Sequence, residues 1–154
     1  MFFGKKLKIL RSINKNNTMT ISHSHISKGF LLAGLANMTV LLFSKFFTNP
    51  VIPEFDPVVM SNFGMFMIII WGLAYISIAK SYPHVKWLVG VFAIEKLIYA
   101  TVWINWMLNH SLSAVYEKDL FAGLFYSIYG VNDLLFFAFF SFVFIRLSQS
   151  TLLR

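Results

Sequence analysis

Residues 120–145, LFAGLFYSIYGVNDLLFFAFFSFVFI, decide the fold. The stretch carries one ionisable side chain, Asp133, and shows no period-two alternation, so it reads as a helix rather than as strands. At ~1.5 Å per residue it reaches about 39 Å, against a hydrocarbon core of ~30 Å. A helix of that length is expected to tilt or bend, and Gly130, beside Asn132 and Asp133, is the expected hinge. Working back along the chain, residues 29–48, 58–79 and 85–108 are three further apolar runs, each near the ~20 residues that cross a bilayer. Turn-forming residues separate them: Asn49-Pro50, Pro53 and Asp56-Pro57, then Ser81-Tyr82-Pro83-His84, then the polar run 109–119.

Composition agrees with the runs. The chain is 58% apolar and 12% charged, where soluble proteins average about 25% charged. Too little polar surface remains to cover a water-facing exterior, which excludes an ordinary soluble globule. Only helices or closed barrels pair every backbone group in lipid, and these runs lack barrel-strand alternation. The expectation is an all-α integral membrane four-helix bundle over residues 29–147, with a basic tail at 1–28 and a short tail at 148–154. The absence of Cys removes disulfides, thiolate metal sites and cysteine nucleophiles.

Ten Lys and Arg fall before the first run, around the second break and after the last run, whereas the other side has Lys45 and Lys118. The positive-inside rule therefore predicts both termini in the cytoplasm, for a protein of the bacterial inner membrane or, alternatively, of an organelle membrane. Trp87, Trp103 and Trp106 fit interfacial belts, while Trp71 lies too deep for one. The first eighteen residues leave three readings open. Phe3, Leu7 and Leu10 between Lys and Arg suit a basic surface helix or disordered tail, the lack of acids before Glu54 suits a transit peptide, and Met19 offers a later start.

Three ionisable residues fall deep inside the runs: Glu95, Lys96 and Asp133. Glu95 is about 15 Å from one end of its helix and Asp133 about 20 Å from an end of its own. Unpaired charges there are costly, so these side chains should face the interior and each other. Glu95 and Lys96 are about 100° apart around one helix, so only one is expected to look at the last helix. A Lys96–Asp133 pair is the structural reading. It leaves one carboxylate over, for which Glu95 is the expected member: protonated, hydrogen-bonded or matched by a bound group. Tyr99, four residues after Glu95, and Tyr129 and Tyr126, four and seven before Asp133, place hydroxyls on the same faces, and Asn132 adjoins the acid. On the first run Gly34, Asn37, Leu41 and Ser44 form one stripe, and on the second Gly64, Ile68, Gly72 and Tyr75 form another, suited to helix contact or, alternatively, to a ligand pocket, for which Asn37 joins the three ionisable residues, the three tyrosines and Asn132 as a candidate.

The four His lie in tails or loops, so no pair clamps a haem, and His23-x-His25 is too little for a metal. No phosphate loop or catalytic triad is present, and the net charge of +7 follows from topology and anionic lipid, not nucleic acid. Three functions remain. The first is a non-catalytic bundle, accessory to a membrane partner subunit or forming a homo-oligomer, that holds a lipophilic small molecule such as a quinone or lipid and needs no other cofactor. The second is a proton-linked transporter or channel working as a parallel oligomer, and the third an isomerase-like enzyme using the two carboxylates. The length, the Asn-Pro break after the first run and the acid followed by aromatics in VFAIEKLIYATVW, residues 91–103, resemble the small bacterial four-span DoxX-like proteins. The resemblance implies an accessory or quinone-linked role and carries no site residue onto this chain.

Overall fold

Backbone N–H and C=O groups placed against hydrocarbon must be paired within their own segment, and the described chain meets that condition with helices and no strand. The computed structural model describes residues 22–152. The tail readings made for residues 1–18 and the start at Met19 lie outside the described residues. In chain order the helices are α1 (His23–Met38), α2 (Val40–Phe43), α3 (Val51–Phe55), α4 (Asn62–Ile78), a 3-10 turn (Tyr82–His84), α5 (Lys86–Asn109), α6 (Leu112–Lys118) and α7 (Leu120–Leu152). Three stretches, His23–Phe43, Lys86–Asn109 and Leu120–Gln149, are long and apolar enough to cross a membrane. α4 is equally apolar in character but has 17 residues.

The boundaries of the first two apolar runs differ from the sequence reading for local reasons. α1 begins at His23, so His23 and His25 lie on its first turn instead of in a tail. The helical stretch ends at Phe43 because Lys45, Phe46 and Phe47 adopt φ of 50°, 55° and 67°. Such left-handed residues cost about 1–2 kcal/mol each without glycine. Hydrogen bonds from Phe46 N–H to Leu41 O (2.8 Å) and from Asn49 N–H to Ser44 O (2.9 Å) hold the turn. α4 starts only at Asn62 because two side chains cap the approach to it. Asp56 accepts from Val59 N–H at 2.9 Å, and Ser61 from Gly64 N–H at 3.1 Å. The breaks read as polar loops also contain α3 and α6, which bury Ile52 and Val115 beside Met60, Trp106 and Tyr126.

α1 runs antiparallel to α4: Asn37 Nδ2 donates to Ile68 O at 2.9 Å, and Gly34 lies opposite Gly72. A Cβ on Gly34 would stand 2.7 Å from the Gly72 carbonyl oxygen, so the two backbones are nearly in contact. α5 runs antiparallel to α7, where Trp103 Nε1 donates to Tyr126 O at 2.7 Å. The indole of Trp103 lies on Gly130, whose Cβ would come within 1.9 Å of it. α7 is helical through Gly130, where the glycine supplies room for an indole. Trp106 is turned inward, buried with Nε1 on Phe55 O at 3.1 Å, so it is not the exposed interfacial anchor expected of it, and Trp103 is half-buried. Trp87 remains exposed.

Two aromatic clusters fill the interior. Near the chain ends, Phe30 of α1, Tyr75 of α4, Phe92 of α5 and Phe140 of α7 meet with ring centroids 4.7–5.6 Å apart. At the opposite end Trp106 stacks on Tyr126 at 4.1 Å, with Phe125 and Tyr129 alongside. Beyond this second cluster, Asp119 ties three elements. It accepts from Lys45 Nζ (2.5 Å), Asn49 Nδ2 (2.8 Å) and the Ala122 N–H (2.8 Å), which caps α7 and pins the left-handed turn. Lys118 pairs with Glu54 nearby. Burial alone would raise the Asp119 carboxyl, but the bonds from Lys45, Ala122 and Asn49 and the Lys45 charge hold it below its ordinary value.

Two outcomes follow from this packing. Gly34→Ala must part α1 from α4 and should cost about 1–3 kcal/mol, read by denaturant or thermal unfolding in detergent. Unchanged stability would contradict the close crossing. Asp119→Ala should cost roughly 1 kcal/mol for the lost cap. Because the folded Asp119 value lies below the unfolded one, its contribution is complete above about pH 3.9 and fades as pH falls through the folded value. An acid titration of wild type against Asp119→Ala should therefore converge at low pH.

Candidate functional site

The aromatic clusters leave a polar layer between them. Lys96 and Glu95 on α5, Asp133 on α7 and Asn37 on α1 are all at least nine-tenths buried. Asn37 falls on the face of α1 that Gly34 brings against α4, so its amide donates to Ile68 O and its Oδ1 is turned to α5. Lys96 Nζ donates to that Oδ1 at 2.9 Å and to Asp133 Oδ1 at 2.6 Å. A buried ammonium is tolerable only when its hydrogens are met, and here two of its three are. The Tyr75 ring lies 5.5 Å from Nζ and adds a cation–π contact.

The sequence reading expects only one of Glu95 and Lys96 to look at the last helix, and Lys96 does so, on Asp133, while Glu95 also faces inward, toward Tyr75 of α4. Helix α5 is flanked by α7 on one side and by Tyr75 of α4 on another, so two directions 100° apart are both interior. Glu95 Oε2 accepts from the Tyr75 hydroxyl. Its other oxygen, Oε1, is 4.0 Å from Lys96 Nζ and is buried with no hydrogen-bond partner among the described residues. The Tyr129 hydroxyl is buried in the same unpartnered state.

A cavity of about 240 Å³ adjoins this cluster. Glu95, Lys96 and Tyr99 of α5 contribute to its wall, as do Tyr129, Asn132 and Asp133 of α7, and Asn37 of α1. Seven of the eight residues singled out from sequence thus share one cavity wall. Tyr126 is the exception. Its hydroxyl donates to Ile52 O at 2.8 Å and its ring is stacked on Trp106, so it builds the neighbouring aromatic cluster. Apolar side chains, including Val40, Phe43, Ile68 and Phe125, complete the wall. The exposed residues Thr39, between α1 and α2, and Ile128 of α7 also line it, which puts the mouth on the helix flank between α1 and α7.

The residue that sequence reasoning missed is Tyr75. Its spacing suits a packing stripe, whereas its hydroxyl is the partner of Glu95, a place that the sequence spacing offers to Tyr99. The available signal was a lone phenol inside an apolar helix, since a buried hydroxyl needs a partner. Among the described residues no three His, Asp or Glu side chains gather as a metal site. His25 Nδ1 is 2.8 Å from Ser22 Oγ, and His110 stacks on Trp106 at 5.2 Å.

Comparison of the chain with protein families, with curated proteins and with solved structures gives no match. Function has to be read from this polar layer. Removing one partner of the buried pair should be severe: Lys96→Met leaves Asp133 uncompensated and should cost about 3–5 kcal/mol. The double variant Lys96→Met/Asp133→Leu should recover most of that loss in the same unfolding assay. Equal stability of the single and double variants would show that the pair does not hold α5 to α7.

Proposed function

We propose that the chain is a non-catalytic, multi-pass membrane protein that binds a lipophilic molecule, of quinone or lipid type, in the cavity between α1 and α7. The observation that carries this reading is the pair of buried unpartnered atoms, Glu95 Oε1 and the Tyr129 hydroxyl, belonging to residues that line a cavity open on an apolar flank. Buried polar atoms are normally satisfied, so a site that holds two in reserve suits a ligand head. A mouth on the helix flank suits entry from the bilayer.

In this reading α4 is the fourth span. Its 17 residues cover about 26 Å, within reach of a ~30 Å core when flanking residues anchor its ends. The four spans form a four-helix bundle, with α1 antiparallel to α4 and α5 to α7. The distribution of Lys and Arg, ten against two, favours both termini on the cytoplasmic side, as in a bacterial inner-membrane protein. An accessory or self-associating role fits the apolar exterior, on which Leu32, Leu35, Leu42, Ile94 and Leu135 are exposed. The aromatic clusters on both sides of the polar layer weigh against a proton relay from face to face.

Native mass spectrometry of the protein extracted gently from its own membranes tests the reading. A recurrent lipophile of one defined mass is expected, depleted in Tyr129→Trp, which fills the cavity wall. Protein that is free of any lipophile in every preparation would contradict it.

A further inference from the structure

The hydrogen-bonding state of the cavity restricts the chemistry of its ligand. With Glu95 as a carboxylate, taking the Tyr75 hydroxyl at Oε2 and lying 4.0 Å from the Lys96 ammonium, its free Oε1 is an acceptor. An incoming head must therefore bring a donor. A phosphate or carboxylate head brings none, and it would meet two carboxylates, Glu95 and Asp133, against the one cation. A carbonyl or ester also brings none and would leave Oε1 orphaned. An ammonium head would donate, but it has no lone pair to meet the third Lys96 hydrogen. A hydroxyl meets every condition: neutral, donating to Glu95 Oε1, and with lone pairs free for the Tyr129 hydroxyl or the third Lys96 hydrogen.

We propose that the cavity between α1 and α7 selects lipophilic molecules that present a hydroxyl, the chemistry shared by isoprenoid alcohols, sterols and quinols, over their carbonyl, ester and ether counterparts. This rests on reading the cavity as a ligand site. The volume of about 240 Å³ accommodates a ring-sized head. The apolar remainder passes between Thr39 and Ile128 into lipid. Discrimination of this kind is strong where a site is built around a hydroxyl, since the analogue lacking it strands a buried polar atom.

The test is equilibrium binding to the full chain in lipid nanodiscs. The probes are an alkyl benzoquinol kept reduced, its dimethyl ether, the parent quinone, and an isoprenoid alcohol with its acetate ester. The hydroxyl forms are expected to bind at least about tenfold more tightly than the ether, quinone or ester, a difference of about 1.4 kcal/mol. Binding of both the quinol and the alcohol supports the shared chemistry, and binding of one alone supports it and names the source. In Glu95→Gln, whose amide can donate, the preference should vanish or reverse, while Tyr129→Phe keeps the preference and weakens binding. Equal affinity for hydroxyl and capped probes, or a preference that survives in Glu95→Gln, overturns the selectivity and leaves the ligand site standing. Absence of binding by every probe overturns both.

Discussion

An ammonium group taken out of water dominates this structure. Lys96 sits 2% exposed in an otherwise apolar interior, where an ion costs several kcal/mol unless partners converge on it. Those partners come from different helices, Asp133 from α7 and Asn37 from α1, and Asn37 is itself fixed by the carbonyl of Ile68 on α4. One side chain on α5 thereby sets the relative placement of three other helices. Apolar packing alone would not do this. Between lipid-like surfaces it has little directional preference, and the rotation of a smooth apolar helix is poorly specified without polar or small-residue contacts.

The same placement explains why a cavity lies there. Aromatic rings fill the interior on either side, with one ring from each of α1, α4, α5 and α7 in the cluster near the chain ends. The Gly34–Gly72 approach closes α1 against α4, and Gly130 receives Trp103 so that α5 closes against α7. Between α1 and α7 a glycine contact lies in the aromatic cluster, where Gly29 meets Phe139, and at the polar layer the two helices have none. Two tight pairs joined through an ion cluster leave their void at the seam. Polar side chains there cannot spread to fill it without losing the bonds that satisfy Lys96.

Much of this was legible in the sequence, and the failures share a cause. Hydropathy identifies the apolar runs, and the cost of buried charge points to Glu95, Lys96 and Asp133 as one cluster, whereas the place of Asn37 beside Lys96 depends on the fold. What stayed illegible depends on which neighbour a side chain meets. Trp103 and Trp106 carry the composition of an interfacial belt, yet their N–H groups bond Tyr126 O and Phe55 O. Tyr75 looks like a packing residue until α5 brings Glu95 to it. α3 and α6 are too short to declare a period and contain or follow turn residues, so burial of Ile52 and Val115 decides them. The left-handed turn at Lys45–Phe47 has no glycine to announce it and depends on Asp119, more than seventy positions away.

The most direct measurement is a high-resolution structure of the protein in nanodiscs formed straight from its native membrane. The account predicts elongated density entering between Thr39 and Ile128, with its polar end within hydrogen-bond reach of Glu95 Oε1 or the Tyr129 hydroxyl, and Lys96 still on Asp133 and Asn37. It would be contradicted by α1 and α7 closed against each other, with both of those atoms bonded to protein neighbours and no room left at the seam.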